Sequence, residues 1–384
     1  MTAFPGVLET RLQRLDEDSC RRSLALREGL DFSSNDYLGF SQDPDLKAKA
    51  MSRLSEFPIG SSASRLLRGH QMVFQETEKE FATFCGRDSC TLFPSGYQAN
   101  VGLLSAILKP GDLVFSDQSN HASIIDGIRL SGARRVIYPH GNWVALRTLL
   151  KEQGQSVGLK VIVTESLFGM DGDIAPLLEL SDLSEEFSAC LVVDEAHATG
   201  LWGDFESNQG GGIVQSLGLS DRVFATVHPV GKALGVGGGA VCGDEKLKEY
   251  LVNFSRSFIF STAPIPAMAV FLKEAILHWK EVGKTRAQKV FENANELRRK
   301  LKTDLKEGES IPDVKGPITP VIIGDNARTL LRAASLREKG FDIRAIRPPT
   351  VPEGQARLRI TSQSGHTSSE IQRLVNVFAK GENT

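Results

Sequence analysis

The feature that most constrains the fold is an alternation running from about residue 45 to residue 265. Short β-rich runs recur there with helical patterns between them, at 89–93, 113–116, 135–138, 161–164, 190–193, 223–227 and 239–242. Several of these runs are apolar on both faces, as in the buried strands of a mainly parallel sheet. Strands that alternate with helices predict an α/β layer architecture. Residues 266–306 read as one long helical stretch with an apolar stripe. After it the pattern changes to short strands at 321–323, 342–345 and 357–361, with a helix at 327–339 and a final helix. Thr367 and Glu370 open that last helix in capping-box spacing. The division expected is an N-terminal segment 1–45, a large domain 46–280 and a small α+β domain 281–384.

Composition excludes several classes. Hydrophobic residues at 41% and charged residues at 24% are the balance of an ordinary globular protein. A net charge of −2 gives no overall attraction to nucleic acid or to an anionic membrane. No apolar run is long enough to predict a membrane span. The start, MTAFPGVLETRLQRLDED, lacks the basic stretch and apolar core of a signal peptide. The five cysteines are scattered, form no CxxC pair and offer no metal-ligand spacing, so no metal is expected. A reducing cytoplasm is the expected compartment.

Five strings carry candidate chemistry. In LVVDEAHATG, 191–200, an apolar strand ends in Asp194, and His197 follows three residues later. Ligands of open α/β sheets sit beyond the carboxyl ends of strands, where a carboxylate can pair with a protonated ring nitrogen. A helix N-cap or a Walker-B-like strand end fits the same residues, but no GxxxxGK[ST] loop accompanies it. In VHPVGKALGVGGGAV, 227–241, Lys232 stands among glycines. A confined lysine forms Schiff bases with carbonyls, and glycines let backbone approach a bulky ligand; a lone solvated lysine is the plain alternative. FPSGYQAN, 93–100, runs from a strand into a helix start that suits an anion, with Ser95 equally able to serve as a simple cap. His121, in SDQSNHASIIDG, either stacks on a flat ring or is a loop histidine. In RLRIT, 357–361, Arg357 and Arg359 share one strand face, where an arginine grips a carboxylate or simply lies on a solvated edge.

Taken together and in order, these strings are more specific. SNDYLGF (34–40), GSSASRLLRGH (60–70), FPSGYQAN, SNHAS, TESLFGMDGD (164–173), DEAHATG, GKALG, FIFSTAP (258–264) and RPPTVPEGQARLRIT (347–361) occur in one chain. Over nearly its whole length the chain resembles the α-oxoamine synthase family of fold-type-I pyridoxal-phosphate (PLP) enzymes. AIRPPTVP followed by ARLRIT is most similar to the branch that serves biotin biosynthesis.

The resemblance implies an α/β fold-type-I PLP-dependent transferase, with a mainly parallel seven-stranded sheet in the large domain and a smaller α+β C-terminal domain. It implies that Lys232 binds PLP covalently, that Asp194 pairs with the pyridine nitrogen, that His197 bonds the ring 3-oxygen and that His121 stacks on the ring. Gly96 and Tyr97 would border the cofactor, with Ser95 a phosphate donor. Ser261 and Thr262 would reach the phosphate of a neighbouring subunit, making a homodimer with shared sites. Asn35, Glu165 and Gly169 would lie near the substrate, and Arg359 would hold the amino-acid carboxylate. Thr350 and Arg21 would lie along the acyl path. The implied reaction is a decarboxylative condensation of L-alanine with a pimeloyl thioester of coenzyme A or acyl carrier protein. The alternatives are a sister condensation, such as that of glycine with an acetyl thioester, and an inactive partner subunit; the retained Lys232, Asp194 and His197 speak against the second. Two positions depart from the family pattern: Pro229 stands where threonine is usual, and Gly169 where serine is common.

Overall fold

The fold was obtained as a computed structural model, in which residues 3–154 and 158–380 are described. The chain divides into two compact units. One comprises Asn35–Gly169 and Ile174–Gln288; the other comprises Met1–Ser34, Met170–Asp173 and Lys289–Thr384.

The larger unit is built on seven strands: β1 Ser89–Phe93, β2 Leu113–Asp117, β3 Arg134–Tyr138, β4 Lys160–Glu165, β5 Cys190–Asp194, β6 Ala225–Pro229 and β7 Gly239–Gly243. Their order is β1-β7-β6-β5-β4-β2-β3. Every neighbouring pair is parallel except the two that involve β7, which runs antiparallel to β1 and β6. β1 and β2 are buried at every residue, as in a sheet covered on both faces, although β1 carries Ser89 and Thr91 and β2 ends in Ser116 and Asp117. Apolar clusters cover both faces. One gathers Phe115, Leu146, Ile162, Leu180 and Val193; the other gathers Leu103, Val114, Ile128, Val161 and Val192. Neighbouring residues of β2, β4 and β5 thus point alternately into the two layers.

Two helices bring functional strings to the carboxyl ends of the strands. Helix α1, Gly96–Ile107, follows β1 at once, and Ser95 caps it by accepting from the Gln98 N–H at 3.2 Å. Helix α2, Ala122–Ser131, follows β2 and is capped by the His121 ring, whose Nδ1 accepts the Ser123 N–H at 3.2 Å. It stops at Gly132, whose φ of 74° is the left-handed conformation that ends a helix. Gly239 meets a tight steric demand where β7 passes the start of α1: a Cβ there would lie 2.6 Å from the Gly96 nitrogen.

The second unit has an antiparallel sheet of β8 Ile318–Gly324, β9 Arg344–Ile346 and β10 Ala356–Thr361, in the order β9-β10-β8. Its core includes Phe32, Val321, Leu358, Ile360, Leu374 and Phe378. The helix Ser368–Lys380 begins with the expected box: Thr367 N–H to Glu370 Oε2 at 2.8 Å, and Glu370 N–H to Thr367 Oγ1 at 3.2 Å. Residues Leu30–Asp31 pair in parallel with Phe341–Asp342, which is why the start of the chain groups with its C-terminal part instead of standing as a separate segment. The long helix Pro266–Leu301 supplies residues to both units, so the division falls at Gln288 rather than at 280. None of the described helices is long and apolar enough to cross a membrane.

Candidate active site

Asp194 is the last residue of β5 and is almost completely buried. A carboxylate there has lost its water and has to be met by donors. The backbone N–H of Ala196 reaches Oδ1 at 2.8 Å, and Asn100 of α1 reaches Oδ2 through Nδ2 at 2.6 Å. The same amide group donates its other hydrogen to Ser123 Oγ at 3.0 Å. Ser123 in turn lies 2.8 Å from His121 Nδ1. Because Nδ1 also accepts the Ser123 N–H, the neutral ring carries its proton on Nε2. One relay therefore runs Asp194–Asn100–Ser123–His121 and fixes both the carboxylate and the imidazole. Burial lowers the His121 pKa, the negative charge of Asp194 opposes that shift, and the positive charge of Lys232 adds to it.

Glu165 ends β4, directly opposite Asp194 in the register. Its Oε1 accepts the His121 backbone N–H at 2.8 Å. Burial, and then the Asp194 charge, push its pKa up to about 8, with Lys232 pulling the other way. Lys232 lies in the turn that follows β6, half-buried, and its charge is felt by both His121 and Glu165. Asp194, His121, Glu165 and Lys232 thus form one electrostatically linked cluster.

His197 is held from the other side. Its Nδ1 lies 2.7 Å from Tyr37 Oη, and that hydroxyl lies 3.1 Å from Asn35 Oδ1. Gly169 has a steric reason for its identity: a Cβ at this position would stand 2.3 Å from His197 Nε2. The imidazole occupies the space that a serine would need. Pro229, at the end of β6, sets its ring against Gly96, where an added Cβ would lie 2.5 Å from the Pro229 Cβ and Cγ. His228 and Thr226, the polar residues just before it, face inward and bond to each other at 2.8 Å, so neither replaces the missing threonine hydroxyl at the surface of the site.

The donor set fits a flat, phosphorylated, nitrogen-containing ring. A lysine amine, a buried carboxylate and an uncharged imidazole stand together, and the Gly96 and Tyr97 amides precede the first backbone bond of α1, from Ala99 N–H to Ser95 O. The Tyr97 hydroxyl itself is turned to Asp126. Ser261 and Thr262 lie on the strip after the short helix Arg256–Ile259, where Ser261 Oγ donates to Thr262 O at 3.2 Å.

In the other unit, Arg359 and Arg357 are both buried on β10, the middle strand of its sheet, so the solvated-edge reading fails. Arg357 is committed to Asp171. Arg21 pairs with Asp16 at 2.7 Å, while its neighbour Arg22 reaches Thr350 Oγ1 at 3.2 Å. Asn100, Ser123 and Tyr37 were not singled out from the sequence, although each stands inside a string that was.

The family model for aminotransferase class I and II matches residues 27–378. The 8-amino-7-oxononanoate synthase of Trichlorobacter lovleyi is 40% identical over 97% of both chains. The chain belongs to the class I and II aminotransferases, among the 8-amino-7-oxononanoate synthases. Solved structures agree with this membership. Serine palmitoyltransferase from S. paucimobilis with bound PLP–myriocin aldimine superposes with a TM-score of 0.89 at 26% identity, covering 97% of this chain and 96% of that one. The 8-amino-7-oxononanoate synthase of Francisella tularensis gives 0.77 at 28% identity, covering 92% and 97%. The family fold, a PLP transferase with a mostly parallel seven-stranded sheet, is the one found here.

Two outcomes are expected from this geometry. Gly169→Ser forces the His197 ring away from Tyr37 and should cost about 1–3 kcal/mol in urea unfolding; an unchanged midpoint with the ring still in place would refute the steric account. Glu165 binds its proton more tightly when folded, at about 8 against an ordinary 4.5. Its contribution to stability is therefore full below 4.5 and is lost as pH rises toward 8. In the apoprotein, Glu165→Gln should flatten that decline between about pH 5 and 8, as followed by thermal unfolding; a slope identical to wild type would contradict it.

Proposed function

We propose that the chain condenses L-alanine with a pimeloyl thioester, releasing carbon dioxide and the thiol carrier to give 8-amino-7-oxononanoate, the product that its relatives' name states. The observation that carries this reading is the electrostatically linked cluster of Asp194, His121, Glu165 and Lys232, in a chain 40% identical to such a synthase over nearly its full length. PLP is the cofactor of the family, and when bound it supplies an electron sink for a carbanion formed beside its ring. Asp194 would meet the ring nitrogen, where its charge would favour the protonated form. Asn100 and the Ala196 N–H keep that carboxylate aimed. The His121 ring, fixed by Ser123, would support the flat face, and His197, positioned by Tyr37, would meet the 3-oxygen. The Gly96 and Tyr97 amides, with Ser95, would receive the phosphate.

Lys232 Nζ is the base that removes the alanine α-proton and later returns a proton to the product. A lysine among charged neighbours in a partly dehydrated turn can serve in both directions. Arg359 is assigned to the amino-acid carboxylate, and Asn35, Gly169 and Glu165 to the substrate side of the cluster. Arg21 and Thr350 are assigned to the acyl chain.

We also assign the chain to a homodimer in which Ser261 and Thr262 serve the partner's phosphate site. The segments around them are tied together by the Ala263 N–H to Ala63 O bond at 3.0 Å. They expose Ile59, Leu67, Phe260 and Ile265, the first at 98% of its area, an apolar surface that a second copy would cover. Five free cysteines suit a cytoplasmic, reducing setting.

Lys232→Ala tests the assignment. The variant should fold, lose the visible absorbance of lysine-linked PLP, and release carbon dioxide from alanine and pimeloyl thioester at least about a hundredfold more slowly. Wild-type turnover in this variant would overturn the role of Lys232.

A further inference from the structure

The fold assembles a second group of reactive side chains that the proposed chemistry does not use. Cys85 ends the helix Met72–Phe84. Cys242 on β7 stands opposite Cys90 on β1 and opposite Thr226 on β6. His228 is two residues further along β6 and therefore on the same face as Thr226. All of these side chains are buried, none above 3% exposed. One ligand atom each from Cys85, Cys242 and His228 lies within 4.8 Å of the other two. Cys85 Sγ stands 3.9 Å from His228 Nδ1.

We propose that Cys85, Cys242 and His228 form a buried site for a soft divalent cation of the zinc or cadmium type. Three observations carry this. The first is spacing. With metal–sulfur bonds of about 2.3 Å and metal–nitrogen bonds of about 2.0 Å, tetrahedral ligand atoms stand roughly 3.5–4 Å apart. The 3.9 Å between Cys85 Sγ and His228 Nδ1 already matches that span.

The second is the hydrogen-bond wiring of the imidazole. Thr199 Oγ1 donates its hydrogen to Glu195 O at 2.9 Å. Toward His228 Nδ1, 2.8 Å away, it can therefore only accept. The empty site thus carries the ring proton on Nδ1, and Thr226 Oγ1, 2.8 Å from Nε2, donates to that nitrogen. On loading, the proton moves to Nε2 and the Thr226 hydroxyl turns to accept it. Metal-bound imidazoles ordinarily donate their other N–H to such a partner. The switch also needs the Thr199 side chain to swing off Nδ1, whose in-plane lone pair the metal takes.

The third is charge. Two thiolates cancel the charge of a divalent cation, and the neutral imidazole adds none. The filled site is uncharged, which a position without water requires. On binding, two metal–sulfur bonds and one metal–nitrogen bond form, and two thiol protons leave to solvent; no electrons are exchanged. The Cys90 thiol belongs to the residue paired with Cys242 across the strands. A metal here would pin the end of the helix Met72–Phe84 to the two strands β6 and β7.

The test is titration of the PLP-loaded protein, freed of metal by dialysis, with cadmium. It is followed by the ultraviolet thiolate-to-metal band and by the unfolding temperature. One cadmium per chain should bind, produce the band and raise the unfolding temperature. Both responses should vanish in Cys85→Ser and in Cys242→Ser, and persist in Cys20→Ser and Cys190→Ser. Thr226→Val keeps every ligand and should bind cadmium about tenfold more weakly. The proposal is overturned if wild type shows no saturable band. It is equally overturned if the band persists in the folded Cys85→Ser or Cys242→Ser protein, disappears with Cys190→Ser, or is unaffected in affinity by Thr226→Val.

Discussion

Asp194 leaves the middle strand of a seven-stranded sheet with its carboxylate out of water, and much of the larger unit is arranged around that one charge. A buried anion is tolerable only with donors on both oxygens. One donor comes from its own turn, Ala196, and one from the neighbouring helix, Asn100. The Asn100 amide has a hydrogen left over, and through Ser123 it dictates the tautomer of His121. The same charge, added to burial, keeps Glu165 protonated well above the carboxylate range. A single strand-end residue is thereby linked by hydrogen bonds to an imidazole and by charge to a second carboxyl group, whose raised pKa burial starts and Asp194 reinforces.

The architecture explains why these groups meet. In a parallel sheet with helices on both faces, the strand ends open at one rim, and helix starts return to the same rim. α1 begins there because β1 ends there, and Ser95 caps the helix at the point where an anion would also be received. Close backbone approaches at this rim are bought with glycine: Gly239 against Gly96, Gly96 against Pro229, and Gly169 against His197. Each is a place where a methyl group would collide with a neighbour.

The seven strands were legible in the sequence to within a residue or two at most ends, because runs buried on both faces leave an apolar signature that solvent-facing structure does not. The strings around Asp194, Lys232 and His121 were legible for a similar reason: each sits at a strand end with distinctive local composition. What stayed hidden was pairing across distance. Asn100 and Asp194 are 94 residues apart, and nothing local marks that asparagine as the donor to a buried carboxylate. The parallel pairing of Leu30–Asp31 with Phe341–Asp342, which carries the start of the chain into the second unit, is hidden for the same reason. The thiol–imidazole cluster is the strongest case, since its ligands stand at 85, 228 and 242 and match no ligand spacing in the linear chain. Gly169 lies between these extremes: its departure from the family pattern was visible, but the cause, an imidazole filling the vacated space, needed the third dimension.

The central claim is that the cluster of Asp194, His121, Glu165 and Lys232 serves a condensation of alanine with a pimeloyl thioester. It is tested most directly by carbon dioxide release from the PLP-loaded protein with alanine, glycine and serine, each against pimeloyl, acetyl and succinyl thioesters. Alanine with the pimeloyl thioester should give the highest kcat/KM, with leakage to other amino acids roughly 10–200-fold lower, as expected when one methyl group decides the choice. Glycine with an acetyl thioester as the best pair would contradict the assignment.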